Sequence, residues 1–325
     1  MIKINFTDFW KGFDKNDNYF ANILRTFCQF EISDSPDFLF YSVNGYDFLK
    51  YNCVRIFFTG ENITPNFNQC DYAMGFDRLT FEDRYLRLPL YFLYQNALDK
   101  CLENRKFEES DLVDRKFCNF IYSRNNPAPE RARFFNLLSE YKFIHSGGKF
   151  LNNIGYCVDN KLEFQKQFKF SIAFENSSTP GYTTEKIVEA KASGTIPVYW
   201  GNPFVHEECN PGAFVNCHDF GSFKETVERI SELDNHNEAF CSILNEPLFS
   251  KDFIDSEKQK QISFLRHIVE KGKINRRADS VLKQKEEKKL RLVAVTDRAR
   301  YFLLPLSVRK RIAGILERIS GKRNS

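Results

Sequence analysis

The 325-residue sequence predicts an α/β protein in which two doubly wound parallel sheets face a central cleft, with a basic amphipathic helical tail after them. Short apolar runs rich in β-forming residues alternate with amphipathic segments in both halves of the chain, and a polar, charge-rich segment at 103–114 separates the halves. Strands that alternate with helices usually pair in parallel, beneath helices on both faces of the sheet. The predicted domains are therefore 1–113, 114–270 and 271–325.

The first half contains four strand-like runs and one helical segment. The predicted strands are 2–6, 37–42, 54–59 and 72–75, and the predicted helix is 19–30. Each strand-like run is short and apolar, and polar or turn-forming residues follow it.

The second half repeats the alternation. The predicted strands are 117–122, 143–145, 170–174, 195–200 and 214–217, and the predicted helices are 130–141, 162–168, 184–193 and 222–233. Parallel sheets bind their ligands beyond the carboxyl ends of the strands. We therefore expect the chemistry to lie where a strand gives way to a helix.

Composition excludes several classes of protein. Apolar residues make up 42% and charged residues 28% of the chain, which is ordinary for a folded soluble protein and excludes disorder along its whole length. No run is long and apolar enough for a transmembrane helix, and the first residues lack the apolar segment of a signal peptide, so we expect a cytoplasmic protein. The nine cysteines form no CxxC pair, and HExxH and Asp-x-Asp motifs are absent. No metal site or disulfide framework is therefore predicted.

The tail differs from the body in charge. Residues 271–325 hold 8 Lys and 9 Arg against 2 Asp and 3 Glu, a net charge of +12, so the other 270 residues carry −8. One helical face is apolar, and basic residues lie on or beside the opposite face; the apolar residues are Val308, Ile312, Ile315, Leu316 and Ile319. This pattern favours binding of residues 301–323 to an anionic membrane surface. The alternatives are docking on the body or pairing with a second copy, whereas nucleic acid fits the acidic body poorly.

The segment from 170 to 201 contains the most informative junction of strand and helix. Thr183 or Thr184 can cap the predicted helix, whose positive end attracts anions, and Lys186 adds a full charge in the first turn. Glu185 would repel a phosphate, so it is expected to accept hydrogen bonds from sugar or ribose hydroxyls. Tyr182 offers a hydroxyl and a ring. On these residues alone, an ordinary capped helix with a solvated Glu–Lys pair fits equally well.

Several motifs resemble those of one enzyme family. In the second half they are FENS at 174–177, GYTTEKI at 181–187, TIPVYWG at 195–201 and NPAPERARFF at 126–135; in the first half they are FTGENITPNF at 58–67 and DYAMGFD at 71–77. In their order along the chain these motifs resemble those of the α1,3-fucosyltransferases of glycosyltransferase family 10, most of all the bacterial Lewis-antigen-type enzymes. The resemblance implies the GT-B fold, a GDP-fucose donor and no required metal, with stimulation by Mn²⁺ left open.

The resemblance also implies roles for single residues. Glu61 matches the proposed general base, and a base is needed because a sugar hydroxyl has a very high pKa. Arg131 matches the arginine that binds the diphosphate, with Arg133 as the second choice. The residues that match donor contacts are Asn176, Tyr182, Glu185 and Lys186. Cationic groups are needed there because the departing diphosphate gains negative charge.

The function implied by this resemblance is inverting transfer of L-fucose from GDP-β-L-fucose to O3 of GlcNAc in N-acetyllactosamine-type glycans, with a Lewis-type product. Transfer to O4 in type 1 chains is left open. One alternative is a GT-B transferase with another nucleotide sugar. The other is a non-catalytic protein that binds glycans or serves as a membrane scaffold. The basic tail would hold such an enzyme peripherally at the inner membrane.

Overall fold

The computed structural model describes residues 1–103, 105–123, 129–277 and 280–303, and gives the backbone alone at position 282 and at 296–303. Its described residues form two parallel β-sheets with helices packed against them. The predicted fold class is thus confirmed for the two domains.

The first sheet has six strands in the order β2-β1-β3-β4-β5-β6, and every pairing is parallel. The strands are β1 (Ile2–Thr7), β2 (Phe30–Ile32), β3 (Phe38–Tyr41), β4 (Val54–Phe58), β5 (Tyr72–Gly75) and β6 (Tyr85–Arg87). The helices of this half are α1 (Tyr19–Arg25) and α2 (Gln95–Leu102). A cluster of buried aromatic rings, including Phe6, Phe20, Phe40 and Phe58, lies between α1 and the sheet.

The second sheet has five parallel strands in the order β11-β10-β9-β7-β8. The strands are β7 (Lys116–Phe120), β8 (Ile144–Ser146), β9 (Phe168–Phe174), β10 (Ile196–Trp200) and β11 (Val215–Asn216). The helices are α3 (Pro129–Tyr141), α4 (Lys161–Gln165), α5 (Glu185–Ala192), α6 (Phe223–Asn235) and α7 (Asn237–Asn245). The central strand β9 is buried along almost its whole length, as expected of a parallel strand covered on both faces.

Two predicted helices end earlier in the structure. The helix predicted at 19–30 ends at Arg25, and Phe30 begins the edge strand β2. The helix predicted at 162–168 ends at Gln165, and the fully buried Phe168 begins β9. The strands β2 and β6 were not predicted, because three-residue edge strands owe their conformation to pairing with a distant strand.

The long helix α8 (Lys251–Lys271) returns to the first domain. Its buried residues Leu265 and Ile268 join the core of the first sheet, beside Leu24 of α1. The predicted domain boundary at 270 remains a prediction. The structure adds that α8, at the end of the predicted second domain, packs on the first domain.

The proximal part of the tail also packs on the first domain. Asp71, at the start of β5, is fully buried and forms an ion pair with Arg277, and its Oδ1 accepts from the backbone nitrogen of Arg277 at 2.9 Å. The helix α9 (Val281–Leu303) adds an ion pair between Glu287 and Arg55 at 2.9 Å. Docking on the body is therefore what the structure shows for Arg276 and Arg277 and for residues 286–291 of α9. The predicted amphipathic stripe at 308–319 lies outside the described residues.

None of the described helices is both long enough and apolar enough to cross a membrane.

Candidate active site

A cavity of about 310 Å³ lies between the two domains, beyond the carboxyl ends of β4, β7 and β9. All six predicted site residues line it, namely Glu61, Arg131, Asn176, Tyr182, Glu185 and Lys186. The first domain contributes Glu61, and the second contributes the other five. The structure therefore brings together residues that lie up to 125 positions apart in the sequence, as ligand sites of parallel sheets require.

Glu61 lies on an exposed turn that follows β4. Its backbone nitrogen donates to the Thr59 hydroxyl at 3.0 Å, and that hydroxyl interacts in turn with the Glu61 carbonyl oxygen at 3.3 Å. Next along the chain, Asn62 donates to the hydroxyls of Ser177 and Thr179 at 2.7 and 2.9 Å. These bonds cross the cleft and hold the turn beside the second domain, with the Glu61 carboxylate exposed.

Lys186 lines the same cavity as Glu61 and is held by two carboxylates. Its ammonium group donates to Glu175 at 3.1 Å, to Glu185 at 3.1 Å and to the Thr184 hydroxyl at 2.8 Å. Burial alone would lower the pKa of Lys186, but the two carboxylates outweigh it and raise the pKa above its ordinary value. The group is thus a fixed positive charge in the cavity wall.

The start of α5 differs from the expectation of a free anion site. Thr184 occupies the cap position, but its side chain does not cap the helix. Instead the fully buried Glu175 accepts from the Thr184 backbone nitrogen at 2.7 Å and from its hydroxyl at 2.6 Å. Burial raises the pKa of Glu175, whereas Lys186 and Lys161 outweigh burial at Glu185 and lower its pKa to about 2. The first turn of α5 therefore already holds carboxylates, and the Lys186 ammonium lies between two of them.

Arg131 is 3% exposed, and its side chain is fixed on one edge. Its Nη2 donates to the Phe174 carbonyl and to the Asn176 side-chain oxygen, both at 2.8 Å, and the guanidinium lies 4.2 Å from the centre of the Tyr122 ring. Its Nε has no hydrogen-bond partner among the residues that the structure describes. Arg133, the second choice, is exposed and packs on Phe223 away from the cavity.

Tyr182 is almost fully buried and bridges the domains. Its ring meets that of Phe76 edge to face, with the centroids 5.0 Å apart. Burial raises the pKa of the hydroxyl, Glu175 adds to this shift, and Lys186 opposes it. The ring face expected to stack on a ligand is therefore mostly covered, and the hydroxyl is left as the polar group.

The structure also identifies positioning residues that the sequence analysis missed. Arg87 of the first domain donates to the Gly181 carbonyl at 2.9 Å and to both oxygens of the buried Glu208 at 3.0 and 3.1 Å. Glu208 also accepts from Asn202 at 3.0 Å and from the Thr183 hydroxyl. This buried cluster fixes the loop that carries Tyr182. No local sequence pattern indicates it, because its partners come from separate elements.

A second cavity, of about 480 Å³, adjoins the first on the side of the first domain. Gly60, Glu61, Leu90 and Tyr94 line both cavities. The second cavity also contains Trp10, which is 47% exposed and is held by the edges of Phe9 and Phe13. Glu61 therefore stands where the two cavities meet.

Comparisons with known proteins find similar sequences and a similar solved structure. Residues 4–94 match the family described as alpha-(1,3)-fucosyltransferase FucT N-terminal domain, and residues 114–246 match glycosyltransferase family 10 (fucosyltransferase) C-term. A crystal structure of an alpha1,3-fucosyltransferase with GDP-fucose superposes with a TM-score of 0.71 and 32% identity, covering 86% of this chain and 91% of that one. The chain belongs to glycosyltransferase family 10. The same superposition, at this level of identity, identifies the fold as GT-B.

Individual relatives within family 10 are also similar. The alpha-(1,3)-fucosyltransferase FucT of Helicobacter pylori is 38% identical over an alignment of 260 residues, and the match covers 69% of this chain and 54% of that protein. The mouse 4-galactosyl-N-acetylglucosaminide 3-alpha-L-fucosyltransferase 9 is 31% identical over 141 residues, which are 42% of this chain and 38% of that protein. The chain thus spans about half the length of the Helicobacter relative.

Proposed function

We propose that this chain is an inverting α1,3-fucosyltransferase that uses GDP-β-L-fucose and an N-acetyllactosamine-type acceptor. The observation that carries the proposal is the position of Glu61, at the junction between a cavity with fixed cations and a cavity with an exposed tryptophan. A donor in the first cavity and an acceptor in the second would meet at a carboxylate. The GDP-fucose in the crystal structure of the relative supports this choice of donor.

The first cavity suits a nucleoside diphosphate sugar. Lys186 and Arg131 lie in its wall, and both are cations that attract a diphosphate. The leaving GDP gains charge on its β-phosphate in the transition state, and these two cations stabilise that charge. We propose that no metal is required for this reason. In this proposal Glu185, held ionised by Lys186 and Lys161, accepts hydrogen bonds from hydroxyl groups of the donor.

The second cavity suits a neutral sugar. Trp10 offers an apolar face for the carbon-bound hydrogens of the sugar, and Asn44 and Ser42 offer polar groups beside it. The name of the mouse relative, a 4-galactosyl-N-acetylglucosaminide 3-alpha-L-fucosyltransferase, supports an acceptor with galactose linked to GlcNAc.

The proposed reaction is a single displacement. The O3 oxygen of GlcNAc attacks C1 of fucose as the bond between C1 and the β-phosphate oxygen breaks, and Glu61 takes the proton from O3. Attack from the face opposite the leaving group converts the β-linked donor into an α-linked product. No covalent intermediate with the enzyme forms. Positioning both sugars across the cleft supplies much of the rate.

The decisive experiment compares the wild-type chain with Glu61→Gln. Purified protein is incubated with GDP-fucose and N-acetyllactosamine in the presence of EDTA, and the product linkage is determined. We expect α1,3-linked product from the wild type and a kcat at least about 100-fold lower from the variant, because the general base is lost. Binding of GDP should be unchanged in Glu61→Gln, which calorimetry measures.

The matched control is Glu82→Gln, an exposed carboxylate that does not line either cavity. Transfer from UDP-sugars but not from GDP-fucose would contradict the proposed choice of donor. Activity that depends on an added metal would contradict the metal-free mechanism. Wild-type activity in Glu61→Gln would remove Glu61 as the base. Binding of glycans without any transfer would favour the non-catalytic alternative.

A further inference from the structure

A third depression lies beside the second cavity. It has a volume of about 410 Å³ and runs between α1 and α8; its lining includes Asn22, Ile23, Lys258, Gln261 and Ile262. We call it the α1–α8 groove. These residues take no part in the reaction proposed above.

The α1–α8 groove adjoins the proposed acceptor cavity. Leu93 lines both of them, and its neighbour Gln95 lines the groove. Tyr94, between these two residues, lines the acceptor cavity and the donor cavity. Because consecutive residues are only about 3.8 Å apart, one short stretch of chain borders all three depressions. The groove and the acceptor cavity are therefore neighbours, with Leu93 at their shared border.

The chemistry of the groove fits a neutral, hydroxyl-rich ligand. Ile23, Leu93 and Ile262 supply apolar surface, and Asn22 and Gln95 supply side-chain amides. Its charged residues are one Asp17 and one Lys258, so the lining carries no net charge. This differs from the donor cavity, where Arg131 and Lys186 provide for an anion. Apolar surface with polar groups set among it is a usual composition of small-molecule binding sites.

A buried polar group in the groove wall supports a ligand there. Gln261 is 1% exposed, and its Oε1 accepts from the Tyr19 hydroxyl. Its Nε2 has no hydrogen-bond partner within the part of the chain that the structure describes. A buried donor without a partner is costly, so a ligand oxygen that reaches this wall gains more than it would at an exposed amide.

We propose that the α1–α8 groove is a distal acceptor subsite, which binds the sugars of a neutral oligosaccharide that lie beyond the disaccharide receiving fucose. The proposal rests on the proposed function, because it takes the acceptor cavity as its starting point. On this proposal the protein prefers extended glycans to isolated disaccharides as acceptors.

The experiment fills the groove from α8. Lys258→Trp places a large side chain in the groove, and Gln259→Trp places the same side chain at an exposed neighbouring position outside it. Each protein is assayed with N-acetyllactosamine and with a linear hexasaccharide of three such repeats. In the wild type we expect kcat/KM per acceptor site to be about tenfold higher for the hexasaccharide, since about 1.4 kcal/mol of added binding gives a factor of ten. The ratio should fall to about one in Lys258→Trp and persist in Gln259→Trp.

Three outcomes overturn the subsite: a wild-type ratio near one, an unchanged ratio in Lys258→Trp, or an equal fall in Gln259→Trp. Failure of the proposed function is distinguishable, because then neither sugar accepts fucose. In that case, calorimetry measures binding of the hexasaccharide in the presence of GDP and tests whether the groove binds sugars. Binding that is weakened about tenfold by Lys258→Trp and retained by Gln259→Trp supports it, and any other result overturns it.

Discussion

At the scale of single residues, the site depends on groups that do not themselves line the cavity. The buried Glu175 holds both the backbone of Thr184 and the ammonium of Lys186, so one carboxylate sets the start of α5 and the direction of its cation. Gly181 has a similar supporting role in the loop before Tyr182. Its φ of +84° is in the left-handed region, and a Cβ there would lie 2.5 Å from the Phe76 carbonyl oxygen of the other domain. The close approach of the domains thus requires a glycine.

Replacing Gly181 by alanine should therefore be more costly than its backbone angle alone explains. Gly12 has the same φ of +84° but nothing within 4 Å of the added Cβ, so Gly12→Ala measures the backbone term by itself. We expect about 1 kcal/mol of destabilisation for Gly12→Ala and about 2–4 kcal/mol for Gly181→Ala. Denaturant unfolding measures both. Equal losses would mean that the domains separate freely at Gly181.

At the scale of elements, the beginning of the tail belongs to the body of the protein. Asp71 is buried, and its Oδ1 and Oδ2 bind backbone and side-chain donors of Arg276 and Arg277. The helix α9 adds contacts from Glu286 to Asn66 and from Glu287 to Arg55, both at 2.9 Å. The sequence predicts that the positive charge of the tail binds an anionic partner. In the structure, part of that charge instead neutralises acidic residues of the first domain, such as Asp71.

Two truncations separate these parts of the tail. A chain that ends at Gly272 should lose about 3–5 kcal/mol of stability, because Asp71 is left as a buried carboxylate without its arginine partner. A chain that ends at Leu303 keeps α9 and should unfold like the full chain. Thermal unfolding followed by circular dichroism measures both. If the two truncated chains melt together, the tail contacts do not stabilise the body.

At the scale of the whole molecule, the cleft is held by a few polar bridges between the domains. Arg87 is half-buried and forms an ion pair with the buried Glu208. Arg78 and Glu207 form an exposed ion pair across the same boundary. A buried pair is costly to break because one charge is left without a partner, and an exposed pair contributes little.

Arg87→Met should therefore destabilise the protein by about 3–5 kcal/mol and raise the KM for the donor, because the loop with Tyr182 loses its anchor. The matched variant Arg78→Met should change stability by less than about 1 kcal/mol and leave the KM near the wild-type value. Unfolding curves and donor saturation curves test this pair. A larger effect at Arg78 than at Arg87 would contradict the proposed anchor.

The sequence by itself determined the parallel α/β class, because the alternation of apolar strands with helices is a local pattern. It also determined the types of residue in the site, since Glu61, Arg131 and Lys186 stand in motifs that resemble a known family. The tertiary structure alone decided the rest. Pairing with distant strands created β2 and β6, burial turned Glu175 and Arg277 into structural charges, and the closed cleft placed Glu61 between two cavities. These outcomes depend on contacts between residues far apart in the chain, which no local pattern encodes.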